Sequence, residues 1–470
     1  MTTSMRTAAA ALAVMLAAFA APSALAAPWK RVTTPDGGST DQVGLVRTPD
    51  GVLHLAWSHP TGDPSVSRED LNHTVISRAG RIGATNPIEL GWTGFSNAAL
   101  VVEPAGLRAF WGGIRSTNPS DPQQETNTSL SANGGATWTL QPGPVNPGGA
   151  QSYASDTAAT VRADGTTMQA FAGTLGTWVH AGLTPATPNW NYTPQEQYGY
   201  DPNIVTDANN RTVLAWYSNA TGHLGVNTQD VNADGSPGGT RRTMPGTGNM
   251  NIGMLGRTPL AARSGGGIYT AYPTGNPTPS RIRLWRVGAA NAPVVGRVNA
   301  GSPAVAIAAT SDVRIWVLWT KGFGDPDVLA RRSNKGATKF GAIVNAGHPR
   351  DAAQAYKLDA NATGGKLDVL GNFNIGTTST GVTSYRRILP GLTLKARPRR
   401  VQSGERTEVR FTVLDAGDAV RGARVAVDGN SGRTDGSGHV TLPVTSRQAV
   451  TARATHTGYV AAKKRLGVRR

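Results

Sequence analysis

The sequence predicts an all-β fold, a β-propeller followed by a small β-sandwich. Three observations support this prediction. A short turn-and-strand pattern recurs along most of the chain. Glycine and proline are abundant, with 58 and 30 copies, while charged residues make up only 16% of the chain. The recurrent pattern stops near residue 390, where a basic segment of different periodicity begins.

Each repeat begins with a turn rich in glycine, asparagine or aspartate and continues into an apolar strand that often ends in an aromatic residue. The copies occupy residues 49–57, 105–111, 163–171, 209–216, 264–272, 311–319 and 364–370. They lie roughly 45 to 60 residues apart, about the length of one four-stranded blade with its loops. Radial stacking of blades buries both strand faces and protects the sheet edges. The pattern predicts seven blades over residues 28–389, or six if one unit is degenerate.

Residues 1–27 have the pattern of a secretory signal peptide. Arg6 supplies a positive charge, residues 8–21 are apolar, and Ala24-Leu25-Ala26 matches a cleavage site. No other segment reaches about 18 consecutive apolar residues, so we expect no membrane span. The chain has no cysteine, so disulfides cannot stabilise it. We expect a secreted protein, extracellular or associated with the cell wall.

The last part of the chain, residues 390–470, predicts a separate domain of short alternating strands. Residues 422–427 and 434–442, followed by Gly458-Tyr459, resemble bacterial immunoglobulin-like and carboxypeptidase-regulatory-like modules. The resemblance covers nearly all of this segment. It implies an immunoglobulin-like β-sandwich that acts as a spacer or adhesive element without catalysis.

The same segment concentrates the positive charge. It holds 16 Lys and Arg against 6 Asp and Glu, a net +10 of the +17 of the whole chain. Such a module can hold a protein against an anionic cell-surface polymer. The alternative is that these charges only solvate the surface. Interleaved aromatic residues, which a nucleic-acid groove would need, are absent, so we expect no nucleic-acid partner.

Residues 131–138 resemble the Asp box of sialidase and bacterial-neuraminidase-repeat propellers, with Asn133 in the place of the aspartate. The resemblance implies a structural hairpin turn that lies away from the active-site face. Sialidases also use a tyrosine nucleophile and an arginine cluster. The strings Arg47-Thr-Pro49 and Arg81-Ile-Gly83 do not match the arginine motif of that family. We therefore assign no catalytic residue.

The innermost strand of each propeller blade borders the central channel, so residues at its start are candidates for a ligand funnel. Carboxylates and amides beside aromatic rings suit a carbohydrate-sized ligand. The alternative is that these polar residues only cap the inner strands and order channel water. The candidate ligand-binding residues are Asp41, Asn97, Asp156, Tyr198, Tyr200, Asp201, Arg257 and Asp351.

Asp230, Asn232 and Asp234 reproduce the first half of a calcium loop. Arg241, however, stands where the bidentate glutamate belongs, which favours a polar turn. Calcium binding by these three residues stays open. We expect no metal site and no cofactor.

These observations favour a secreted, monomeric, non-catalytic protein that binds glycans or cell-surface polymers through its funnel, with the sandwich as a basic spacer. Two alternatives remain. One is a sialidase-type exo-glycoside hydrolase with a diverged active site. The other is a propeller that binds proteins.

Overall fold

The computed structural model describes residues 28–34, 42–60, 68–93, 95–114, 125–142, 145, 155–173, 176–184, 187–193, 199–248, 256–275, 278–299, 301–322, 324–376 and 381–469. The chain divides into two compact units, Pro28–Ile388 and a unit that contains Leu389–Arg470. Within the described ranges every regular element is a β-strand. None of these residues belongs to a helix that could cross a membrane.

The larger unit is built from four-stranded antiparallel sheets. Its strands are β1 (Lys30–Arg31), β2 (Gly44–Arg47), β3 (Leu53–Pro60), β4 (Glu69–Ile76), β5 (Asn86–Trp92), β6 (Ala99–Glu103), β7 (Gly106–Gly113), β8 (Glu125–Ser131), β9 (Thr139–Leu140), β10 (Ser155–Val161), β11 (Thr167–Gly173), β12 (Gly176–Ala181), β13 (Asn189–Asn191), β14 (Gly199–Thr206), β15 (Thr212–Ser218), β16 (Gly225–Val231), β17 (Pro237–Thr243), β18 (Leu260–Ala262), β19 (Ile268–Thr274), β20 (Arg281–Arg286), β21 (Val294–Arg297), β22 (Val305–Ala309), β23 (Ile315–Gly322), β24 (Asp325–Arg332), β25 (Val344–Gly347), β26 (Ala352–Thr363), β27 (Lys366–Ile375) and β28 (Gly381–Ile388).

These strands form a closed ring of sheets. Among the described residues of this unit there are seven four-stranded sheets. Six run in chain order from β2–β5 to β22–β25, and β26–β28 are completed by β1 from the start of the unit. The first strands of neighbouring sheets contact one another around a full circle, and β26 contacts β2. The predicted all-β propeller is therefore confirmed.

In six of the seven sheets the second strand carries the repeated aromatic residue into the core. Each of these residues is at most 3% exposed. They are Trp57, Trp111, Phe171, Trp216, Tyr272 and Trp319. A buried aromatic side chain removes about 150–250 Å² from water, so these residues dominate the packing between sheets.

The turn at residues 131–138 is held by its own side chains. The Asn133 Oδ1 accepts a hydrogen bond from the Thr137 backbone N–H at 3.0 Å, and the Ser131 Oγ accepts one from the Gly135 N–H at 2.8 Å. A related turn follows β24, where the Asn334 Oδ1 accepts the Thr338 N–H at 2.9 Å. Both segments thus have a local structural role, because asparagine replaces backbone partners that the turn lacks.

The ring closes at a seam between the first and last sheets, around a fully buried carboxylate. Asp368 on β27 accepts hydrogen bonds from the Tyr385 hydroxyl at 2.6 Å and from the Arg387 Nε at 2.7 Å, both on β28. Its second oxygen accepts one from the Arg47 NH2 on β2 at 2.5 Å. The Asp368 side chain is 0% exposed. Two guanidinium groups and a hydroxyl therefore donate hydrogen bonds to one buried carboxylate and join the two sheets.

The second unit consists of two sheets that share one core. Its strands are β29 (Thr393–Arg397), β30 (Arg400–Gln402), β31 (Thr407–Asp415), β32 (Asp418–Ala419), β33 (Arg424–Val427), β34 (Asn430–Arg433), β35 (His439–Val444), β36 (Val450–Thr455) and β37 (Ala462–Arg469). One sheet contains β29, β31, β32 and β35, and the other has the order β30-β37-β36-β33-β34. Phe411 and Val413 from the first sheet pack in one cluster with Val425 and Leu466 from the second. The unit is a β-sandwich with its own apolar core.

Candidate functional site

Three of the innermost strands have irregularities in their pairing at one end of the central channel. We call this end, which carries Asp156, Asp201 and Lys357, the mouth. The register shifts between Ser155 and Ala158 in β10, and between Tyr200 and Asn203 in β14. A third shift occurs between Ala355 and Lys357 in β26. Bulges of this kind redirect side chains and are enriched next to functional sites.

Asp156 and Asp201 occupy the first two irregularities in the same strained conformation. Their φ angles are +51° and +52°, in the left-handed region that non-glycine residues seldom adopt. Each residue lies two positions before the residue at which the pairing of its strand resumes after the irregularity. The surrounding structure must stabilise both backbones, and such strain clusters at binding and catalytic sites.

Gln42 in the first sheet and Asn97 in the second stand at the position that Asp156 and Asp201 occupy in the third and fourth sheets. The four side chains form a row of polar groups. The Asn97 Nδ2 donates to the Asp156 Oδ1 at 2.6 Å, and the Asn97 Oδ1 accepts the Gln42 backbone N–H at 2.8 Å. The Gln42 Nε2 then donates to the Asp359 Oδ1 at 2.7 Å. Gln42 and Asn97 are buried at 6% and 3% exposure. These two residues hold the carboxylates in place.

Electrostatics distinguish Asp201 from the other carboxylates at the mouth. Removal from water and the nearby Asp156 carboxylate raise the pKa of Asp201 well above its ordinary 3.8, while Lys357 acts in the opposite direction. Asp201 lies deep among protein atoms, although its side chain keeps partial access to solvent. The pair therefore favours a state with one proton between two carboxyl groups.

Two tyrosines flank Asp201. The rings of Tyr200 and Tyr217 lie 6.3 Å apart at an interplanar angle of 32°. Burial, Tyr200 and Asp201 together raise the pKa of Tyr217, so its hydroxyl stays protonated at neutral pH. The mouth thus combines carboxyl groups, an ammonium group and an aromatic surface.

Arg257 closes the channel just below the mouth. Its guanidinium donates to the carbonyl oxygens of Thr157 at 2.9 Å, Val43 at 3.1 Å and Ala98. Each acceptor directly follows Asp156, Gln42 or Asn97 in sequence, so the guanidinium lies one residue deeper in the channel than their row of polar side chains. Arg257 therefore joins four sheets.

A cavity of about 180 Å³ lies beneath the guanidinium, walled by inner-strand residues such as Leu100, Ala159 and Ile307. Asp359 stands beside Arg257 at its upper end. Burial raises the pKa of Asp359 to about 6, against the opposing effects of Arg257 and of the Gln42 hydrogen bond. Most of the side chains around the cavity are apolar, while Gln42, Asn203, Arg257 and Asp359 contribute polar groups to its lining.

The structure brings together most of the residues that the sequence singles out. Asn97, Asp156, Tyr200, Asp201 and Arg257 gather at the mouth, whereas Asp41 and Tyr198 lie outside the described residues. The role of Arg257 differs from the expected one, because its guanidinium binds backbone carbonyls.

Asp351 does not belong to this site. It lies six residues before Lys357, its side chain is 59% exposed, and it pairs with Arg31 at 3.4 Å. The last inner strand has 12 residues and two register shifts, so its first residue does not lie at the level of Asp156 and Asp201.

Sequence reasoning missed Lys357, Gln42 and Asp359. Gln42 could have been found from its position, because it stands two residues before the first regular pair of β2, as Asn97 does in β6. No local signal distinguishes Lys357 or Asp359 from other polar residues on an inner strand.

The acidic side chains of the turn at 230–234 already bind other residues of the protein. Asp230 pairs with Arg211 at 2.7 Å and with Arg242 at 3.0 Å, and Asp234 accepts the Ser236 hydroxyl at 2.6 Å. In the part of the chain that the structure covers, no group of three or more His, Asp or Glu residues could hold a metal ion.

No protein-family model and no curated protein sequence matches the chain. Solved structures with a similar fold include a protein of unknown function from Dyadobacter fermentans, at 11% identity and a TM-score of 0.46 over 78% of this chain and 99% of that one. An α-L-arabinanase from Penicillium chrysogenum in complex with arabinobiose has 12% identity and a TM-score of 0.44 over 77% and 98%. The polysaccharide lyase Uly1 has 11% identity and a TM-score of 0.45 over 74% and 90%. At these values the similarities assign no function to this chain.

Proposed function

We propose that the mouth of the propeller channel binds a carbohydrate through its hydroxyl groups, and that the protein is a secreted glycan-binding protein. The single observation that carries this proposal is the convergence of Asp156, Asp201 and Lys357 from three bulged inner strands. Secretion rests on the signal-peptide pattern of residues 1–27 alone.

The chemistry of the mouth supports a polyhydroxylated ligand. An ionised carboxylate accepts hydrogen bonds from hydroxyls, while a protonated carboxyl and an ammonium donate them. Asp156, Asp201 and Lys357 therefore offer both kinds of partner within one small area, and each sugar hydroxyl needs both. The ring of Tyr200 adds an apolar surface for the C–H face of a sugar.

The depth of the mouth supports recognition of a chain end or a single sugar. Arg257 crosses the channel one residue below the polar row and binds carbonyls of three other sheets. A ligand that enters along the channel axis therefore meets the guanidinium after the polar row and cannot thread further. A polymer with no accessible end would have to lie across the mouth.

A glycan array of the mature protein, followed by calorimetry with the strongest hit, tests this proposal. The loss of one buried hydrogen-bonding partner costs about 1–3 kcal/mol, so Asp156→Ala and Asp201→Ala should each weaken binding about tenfold or more. Asp351→Ala makes the same truncation at an exposed position and should leave affinity unchanged. Equal affinity in all four proteins would place the ligand elsewhere.

One observation favours a second function, acid–base catalysis. A carboxyl group whose pKa is raised beside an ionised one is the arrangement that hydrolases and lyases use to donate and accept protons. Turnover of aryl glycosides or of a uronate polymer that disappears in Asp201→Asn would establish an enzyme. Binding without turnover would establish the non-catalytic function.

A further inference from the structure

The five-stranded sheet of the C-terminal unit contains no acidic residue. Its strands β30, β37, β36, β33 and β34 carry arginine, lysine and neutral side chains only. The six acidic residues of the segment 390–470 lie instead in the other sheet and in turns.

Strand alternation sorts most cations of this sheet onto one side. Leu466 and Ala452 point into the core, so the residues next to them along β37 and β36 point outward. Pairing then aligns Lys463 with Arg453 and Arg465 with Thr451 across these two strands. The outward side carries Arg400, Arg424, Arg433, Arg453, Lys463, Arg465 and Arg469, which we call the basic face.

The cations of the basic face have no acidic partner in the described part of the chain. Their hydrogen bonds go to neutral groups, as from Arg433 to the Gly422 carbonyl at 3.0 Å and from Arg469 to Gln402 at 3.1 Å. All except Arg453 are exposed. The Arg453 Nε is buried without a hydrogen-bond partner, and like charges directly across two strands destabilise a sheet. An external anion would relieve both costs.

The surroundings of these cations select among anionic partners. The outward side contains no aromatic ring to stack on bases, and the large exposed apolar residues, Leu90, Leu183, Val294 and Ile343, all belong to the propeller unit. Nothing on the face therefore suits single-stranded nucleic acid or insertion into a lipid layer. Between the cations stand neutral hydrogen-bonding side chains, namely Gln402, Ser431, Thr451 and Thr455.

We propose that the basic face is a docking surface for an acidic polysaccharide, a linear polymer of sugars that carry carboxylate groups. The guanidinium groups bind the carboxylates, which fit their bidentate geometry. The neutral side chains between them bind the sugar hydroxyls. The cations recur across strands about 4.8 Å apart, and Lys463 and Arg465 stand at alternate residues along β37, so one polysaccharide chain can contact several of them at once. This surface is distinct from the propeller mouth.

Binding of the full-length protein to polygalacturonate, with dextran as the neutral control, tests the proposal. The triple variant Arg424→Gln, Lys463→Gln and Arg465→Gln should raise the Kd at least tenfold. The matched variant Lys395→Gln, Arg397→Gln and Arg410→Gln removes the same charge from the other sheet and should change the Kd less than twofold. Equal losses in the two variants would show that only net charge matters and would overturn the proposal.

Competing partners and folding are tested in the same series. All six substituted side chains are exposed, and thermal unfolding of each variant verifies that it folds. Binding to polygalacturonate should weaken as salt rises, because screening shortens the range of these interactions. Tighter binding to duplex DNA or to phosphatidylglycerol vesicles than to polygalacturonate would also overturn the proposal. Asp201→Asn should leave this binding unchanged, which separates it from the function of the mouth.

Discussion

Two carboxylate clusters of the propeller unit differ in how their charge is balanced. At the seam between the first and last sheets, Asp368 receives hydrogen bonds from two arginines and a tyrosine. At the channel mouth, Asp201 lies near a second carboxylate, and burial together with Asp156 favours its protonated form. One cluster surrounds its charge with donors, and the other places two carboxyl groups together on strained backbone.

This difference separates a carboxylate that holds the fold from carboxylates suited to a ligand. A buried acid whose oxygens all have donors contributes to cohesion and has little capacity left for another molecule. A pair of acids that repel each other lowers stability, and a ligand that supplies donors can recover that energy. We therefore expect mutations at the two sites to have opposite effects on stability.

The largest effect is expected at the seam. Asp368→Ala leaves the Arg47 and Arg387 guanidinium groups without their shared carboxylate, and breaking a buried ion pair costs about 3–5 kcal/mol. The free energy of unfolding, measured by chemical denaturation, should fall by about that amount. Asp351→Ala, which breaks an exposed pair, should cost less than about 1 kcal/mol. Similar losses in both variants would contradict the assigned role of Asp368.

A smaller loss is expected from Arg257, which has a structural role although it lies beside the candidate site. Arg257→Met removes the donors to the Thr157, Val43 and Ala98 carbonyls, and hydrogen bonds to charged groups contribute about 1.5–3 kcal/mol each. Because water can replace part of them, we expect a loss of about 3 kcal/mol in denaturant unfolding. The exposed Arg281→Met is the control. An unchanged unfolding midpoint in Arg257→Met would show that the hydrogen bonds of this guanidinium do not stabilise the fold.

The smallest effect has the opposite sign. The unfolded chain releases the Asp201 proton near pH 3.8, whereas the folded chain releases it at higher pH. Stability linked to Asp201 is therefore intact in acid and declines as the pH rises through its folded pKa. The amide introduced by Asp201→Asn cannot ionise, so this variant should match the wild-type Tm at pH 4 and exceed it at pH 8. A Tm difference that does not change with pH would contradict the assigned charge state.

Much of the fold could be predicted from local patterns. The turn-and-strand repeat identifies the second strand of each sheet and, in six of the seven sheets, its buried aromatic residue, because glycine turns and apolar strands are encoded within about ten residues. The Ser131–Asn133 turn is local in the same way. The position of the candidate site followed from the repeat in the third and fourth sheets, where Asp156 and Asp201 stand at the same offset from the residue at which pairing resumes after the irregularity.

The same reasoning failed in the last sheet for a physical reason. Two register shifts in β26 change which of its residues lies beside Asp201. Counting residues from the repeat pointed to Asp351, whereas in the structure Lys357 lies near Asp201. A bulge adds a residue without changing the apolar pattern of the strand, and no short motif distinguishes it. Arg257 is a similar case, because the carbonyls that it binds are 100 to 214 residues away in sequence.

The sequence by itself thus determined the all-β architecture, the repeat and the excess of positive charge in residues 390–470, since each depends on composition or on neighbouring residues. Only the tertiary structure decided which charges meet. It placed Asp156 beside Asp201, enclosed Asp368 between two arginines, and aligned Arg453 with Lys463 on a face without acids. Electrostatic energy depends on the distance and the burial of two groups in space, and neither quantity is encoded in their separation along the chain.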